Sequence, residues 1–92
     1  MKQPYEYYKV RKERVEYLGI RHFKMSAMLG GYKVIQVCTN PGEVKRGKGN
    51  TFGIYLIDRL TFLSNYISTG YAISCTKNEY DRAFKKVLSM LV

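Results

Sequence analysis

Ile20-Arg21-His22-Phe23-Lys24-Met25-Ser26-Ala27-Met28-Leu29-Gly30-Gly31-Tyr32-Lys33-Val34-Ile35-Gln36-Val37-Cys38-Thr39 reads as two alternating strands about a glycine pair. Gly30-Gly31 can adopt the positive φ angles that a two-residue hairpin turn demands. A turn there puts Phe23, Met25, Ala27 and Leu29 on the same side as Tyr32, Val34 and Cys38, with Gln36 the one polar residue among them. His22, Lys24, Ser26 and Lys33 take the other side, together with Ile35 and Val37. One dry face and one mixed face is the pattern of an antiparallel sheet covered on one side.

N-terminal to this hairpin, the run from Pro4 to Leu18 reads as a helix. Pro4 suits a first turn, and the Lys, Arg and Glu that follow are good helix formers. Lys9–Glu13 and Lys12–Glu16 are spaced for pairing on a helix surface, and Gly19 offers a C-terminal stop. Tyr7, Tyr8, Val10, Val15, Tyr17 and Leu18 fall on about half of the helical circumference, with Arg11 and Arg14 on the same half. A strand is the weaker reading, because alternation fails across residues 10–16.

C-terminal to the hairpin, residues 40–51 read as a loop built on Asn40-Pro41-Gly42 and two further glycines. Phe52–Ile57 reads as a strand. Asp58 can cap a helix over residues 59–68 with Leu60, Leu63 and Ile67 on one side and Gly70 at its end, although a strand through Thr61–Ser68 is an alternative. Tyr71–Cys75 reads as a short strand. Thr76-Lys77-Asn78-Glu79 has capping-box spacing and starts a helix with an apolar stripe of Tyr80, Phe84, Val87, Leu88 and Leu91. Arg82, Lys85 and Lys86 fall outside that stripe, where water reaches them.

The expected architecture over residues 1–92 is a single basic α+β domain in the order α-β-β-β-α-β-α. It has a small, mainly antiparallel sheet of about four strands with helices packed on one face. In order of elements alone the α-β-β-β-α stretch resembles double-stranded-RNA-binding domains. Those carry a lysine-rich start to the final helix, where this chain has Thr76-Lys77-Asn78-Glu79, so the likeness implies no family.

The charge points to a class of function. Sixteen Lys and Arg against seven Asp and Glu give a net +9, and residues 1–50 hold 11 of the basic groups and 4 of the acidic ones. Such an excess favours polyanionic partners. The candidate contacts are Lys9, Arg11, Lys12, Arg14, Arg21 and Lys24 in the first segment, and Lys45, Arg46 and Lys48 in the glycine-hinged loop. Both groups can hold phosphates by releasing counterions. The expected function is non-enzymatic binding of DNA or RNA. The alternative is a small inhibitor or adaptor that docks on an acidic protein surface, and self-association through exposed tyrosines is a further possibility.

Other chemistries find less support in the residues. Gly42-x-x-x-x-Gly47-Lys48 has most of a phosphate-binding P-loop, but Gly49 stands where a Ser or Thr should hold magnesium, and a strand rather than a helix follows. One histidine, His22, and two distant cysteines, Cys38 and Cys75, make no zinc set, so no metal or cofactor is expected. Both thiols lie in apolar strands, and no pair of carboxylates is placed for acid–base work. No stretch is long enough to span a membrane, and the start lacks the apolar core of a signal peptide; with only two cysteines, a reduced, cytoplasmic setting is expected.

Overall fold

The computed structural model describes residues 4–26, 33–39 and 52–91. Five strands, β1 (Tyr5–Val10), β2 (Arg21–Ser26), β3 (Lys33–Cys38), β4 (Gly53–Asp58) and β5 (Ala72–Ser74), form one antiparallel sheet in the order β4-β3-β2-β1-β5. A 3₁₀ turn (Lys12–Arg14) and the one-turn helix α1 (Val15–Leu18) join β1 to β2. Helix α2 (Arg59–Phe62) continues as a π-helical turn (Leu63–Ile67), and α3 (Lys77–Leu91) follows β5. The α+β class therefore holds, with five strands instead of four.

The main correction is at the N-terminus, where the expected helix is strand β1 and only the short turns after it are helical. The likeness in element order to double-stranded-RNA-binding domains falls with it. The physical reason lies in the position of β1 between β2 and β5. A strand covered on both faces carries apolar residues at both parities, so its sequence does not alternate cleanly. Tyr7 is buried against Tyr80 on one face, with ring centroids 5.4 Å apart. Tyr8 meets Phe62 on the other at 5.5 Å. Neither expected helical ion pair forms. Lys9 reaches Glu79 on α3, and Glu13 bonds Arg11 instead. Gly19, at φ 82°, does end the helical segment.

Helices cover both faces of the sheet, not one. On the first face Val10, Phe23, Met25 and Val34 pack with Phe62 and Ala72, and Tyr66 joins from the π turn. Phe23, Phe62 and Tyr66 form an aromatic knot with centroids 4.7, 4.9 and 5.9 Å apart. On the second face Tyr7 and Val37 pack under Tyr80, Ala83 and Val87 of α3, with Ile35 and Ile54 alongside. Ile35 and Val37, the apolar residues of the mixed hairpin face, are thus the docking surface of α3.

The hairpin faces are as expected, but the register is not. A turn at Gly30-Gly31 pairs Met25 with Gln36, whereas Met25 lies opposite Val34. A slip of two residues leaves every side chain on its own face, so the hydrophobic pattern is blind to it. The glycine turn itself, in residues 27–32, lies outside the described residues. Gln36 is buried, as its place among the apolar residues requires.

The other helix signals are met in part. Asp58 precedes α2 but makes no cap bond, because its carboxylate takes the Lys33 ammonium at 2.6 Å across the β3–β4 ladder. Residues 61–68 are helical rather than extended, yet the inward residue is Phe62, and Leu60 is 80% exposed. The π turn, closed by Ser68 N–H donating to the Leu63 carbonyl at 2.8 Å, advances the inward face and brings Leu63, Tyr66 and Ile67 to the core. At α3 the Thr76 hydroxyl accepts from Glu79 N–H at 3.1 Å, which is half of the expected capping box. The Glu79 carboxylate faces Lys9 instead.

Because Phe62 is fully buried and contacts Tyr8, Phe23 and Tyr66, Phe62→Ala removes the hub of the first core. Urea denaturation is expected to show a loss of about 3–5 kcal/mol. The surface variant Leu60→Ala is expected to stay within about 0.5 kcal/mol of the parent.

Candidate functional site

In an antiparallel meander, alternate connections leave the same end of the sheet. The β1–β2 connection (11–20) and the β3–β4 connection (39–52) therefore share one end, and the Thr39 N–H donates to the Ile20 carbonyl at 3.1 Å to tie them together. The two basic segments singled out in the sequence both belong to these connections or border them.

Among the described residues, five of the six expected cations have partners within the protein. The Arg11 guanidinium donates to Glu13 at 2.9 Å and to the Gly70 carbonyl at 3.2 Å. Arg14 stacks over the Tyr71 ring at 4.9 Å, and Lys24, on the α3 face, stands 4.2 Å above the Tyr5 ring. Arg21 is buried and donates to the Tyr66 hydroxyl at 2.7 Å, which braces the first core. Lys9 pairs with Glu79 at 3.3 Å. Lys12 is exposed on the 3₁₀ turn. Lys45, Arg46 and Lys48 lie outside the described residues. The helix expected to carry Lys9, Arg11, Lys12 and Arg14 does not form, and these residues, with Arg21 and Lys24, sit on two faces and one end of a sheet.

What the structure assembles is a cleft of about 250 Å³ between β2 and α3, lined by His22, Thr39, Glu79, Arg82, Ala83 and Lys86. Its origin is local. Helical spacing sets Glu79, Arg82, Ala83 and Lys86 along one flank of α3. Strand parity turns His22 toward the same helix, opposite Lys9 on β1 and Val37 on β3. Arg82 and Lys86 are exposed. Counting Lys9, the cleft carries three cations against the single carboxylate of Glu79.

Burial holds the His22 imidazole below its ordinary pKa, against the opposing pull of the Glu79 carboxylate, so it is neutral at pH 7. Its Nδ1 is buried with no hydrogen-bond partner among the described residues. Cys75 lies beside the same carboxylate. Burial first, and then the Glu79 charge, push its thiol up to about 11, so it stays protonated at neutral pH and is a poor nucleophile. No cluster of three or more His, Cys, Asp or Glu placed to hold a metal ion occurs among the described residues. No described helix is long and apolar enough to cross a membrane.

Arg82 and Lys86 were legible only as solvated residues off the apolar stripe of α3. Their spacing of four was visible, but nothing in the chain told that the flank they share faces His22. The chain matches no family model, no curated protein and no solved structure.

The His22 environment sets a pH dependence. A group whose pKa is lowered on folding adds stability that is present above its unfolded value of 6.5 and is lost as pH falls through the folded value. The melting temperature is therefore expected to fall between pH 7 and pH 5. His22→Gln, which cannot titrate, is expected to flatten that slope in a calorimetric pH series.

Proposed function

We propose that the chain binds nucleic acid without catalysis, through Lys and Arg contacts to phosphates. The cleft between β2 and α3 seats one phosphate, and the basic end of the sheet follows the adjoining backbone. The observation that carries this reading is the pair Arg82 and Lys86, exposed one helical turn apart on the cleft that His22 also lines. Two cations give the charge that attracts a phosphate. The His22 ring, neutral at pH 7, adds no charge of its own, and Lys9 offsets the Glu79 carboxylate. Lys12, exposed at the same end, extends the track, and Lys45, Arg46 and Lys48 belong to the connection that leaves from Thr39 at the rim of the cleft.

A phosphate-directed mode predicts affinity without strong base preference and with steep salt dependence. Fluorescence anisotropy with labelled single-stranded and duplex oligonucleotides, followed from 50 to 200 mM salt, measures both. The double substitution Arg82→Ala with Lys86→Ala is expected to weaken binding about equally across sequences. It is also expected to reduce the slope of log K against log salt on duplex by about 2. Because both side chains are exposed, the variant is expected to melt as the parent does. Absence of binding to any oligonucleotide at low salt rejects the reading, and partners that survive nuclease treatment in a pull-down favour an acidic protein surface in its place.

A further inference from the structure

Strand β4 is the edge of the sheet opposite β5, and among the described residues nothing pairs with its outer side. The bonds from Cys75 N–H to the Tyr7 carbonyl and from Arg11 N–H to the Tyr71 carbonyl engage the odd-numbered residues of β1. Carried through the β1–β2, β2–β3 and β3–β4 registers, this alternation points the backbone groups of Ile54, Leu56 and Asp58 outward. An unpaired row of this kind is ordinarily protected by Lys, Pro, a bulge or a covering loop. Gly53-Ile54-Tyr55-Leu56-Ile57 has no charge and no proline. Leu56 is 65% exposed, and Tyr55 on the other face is 37% exposed.

We infer that this edge is a homodimer interface, in which β4 of one copy pairs antiparallel with β4 of a second to make a ten-stranded sheet. Charge selects the occupant. Two chains of net +9 repel, but β4 carries a single charge, Asp58, and its carboxylate is paired with Lys33 at 2.6 Å, so the edge strand brings no net charge to the contact. A second copy can approach there with its basic end held away, whereas an acidic partner is drawn to the cationic surfaces instead. Geometry selects the register. Centring the two-fold axis on Leu56 uses all three outward residues, with Leu56 opposite Leu56 and Ile54 opposite Asp58. Tyr55 of each copy then faces Ile57 of the other, an aromatic–β-branched pair of the kind that stabilises sheets. The two Asp58 carboxylates stand four residues apart along the strands, about 14 Å, so no like charges are opposed.

Light-scattering mass measurement and amide hydrogen exchange on the intact chain test this. The expected mass at micromolar concentration is twice the 10.7 kDa of one chain, with Ile54 and Leu56 amides that become protected as concentration rises. Leu56→Lys sets two ammonium groups opposite one another. Leu56→Pro removes only an outward donor and spares the ladder to β3. Each is expected to halve the mass while circular dichroism is retained. A parent chain that stays at 10.7 kDa, with fast exchange at Ile54 and Leu56 at every concentration, overturns the inference. So does a dimer that persists in both folded variants. Neither result depends on nucleic acid, so failure here is separate from failure of the proposed function.

Discussion

Strand β1 sends Tyr7 and Tyr8 to opposite faces of the sheet, and the rest of the architecture follows from having to cover both. Tyr8 and Val10 need a layer on one side, which Phe62 and the π turn supply. Tyr7 needs one on the other, which Tyr80 and α3 supply. Because β5 closes the outer side of β1, the chain must cross the sheet from β4 to reach it, and this crossing carries α2 over the first face. The second layer brings α3 down beside His22, and the cationic cleft is a by-product of that packing.

The same constraint accounts for what could be read in the sequence. The alternation of Phe23 and Met25 against His22 and Lys24 is legible because β2 has large apolar residues at one parity and polar ones at the other. The α3 stripe is legible because a 15-residue amphipathic helix shows its period. Tyr5 to Val10 is opaque because both parities are apolar, and its Lys and Glu neighbours imitate a helix. Asp58 has the right chemistry for a cap, yet a long-range ion pair with Lys33 takes its carboxylate. The inward turn of Phe62 depends on a π insertion, and no local preference marks that. The two-residue slip in the hairpin leaves every face unchanged, so pattern alone could not detect it.

For the site, the cationic side chains are legible in the sequence, but which of them folding engages within the protein is not. Total charge is a property of composition, but its availability depends on partners that only folding brings together. Arg21 is spent on Tyr66, Arg11 on Glu13 and Gly70, and Lys9 on Glu79. The cations left to meet a ligand among the described residues include Lys12, Arg82, Lys85 and Lys86, three of them on a helix whose charges looked ordinary. Strand β4 is the counterpart of this arrangement, since its one charge, Asp58, is paired with Lys33 and the edge carries no net charge.

The proposed function places the phosphate in the cleft between β2 and α3. A two-dimensional NMR titration of the intact chain with a short oligonucleotide tests that placement. The largest shifts are expected at His22, Thr39, Arg82 and Lys86, with a change at the His22 ring nitrogens and little at the β4 edge. Shifts that spare α3 and His22, or that spread evenly over the basic residues, contradict it.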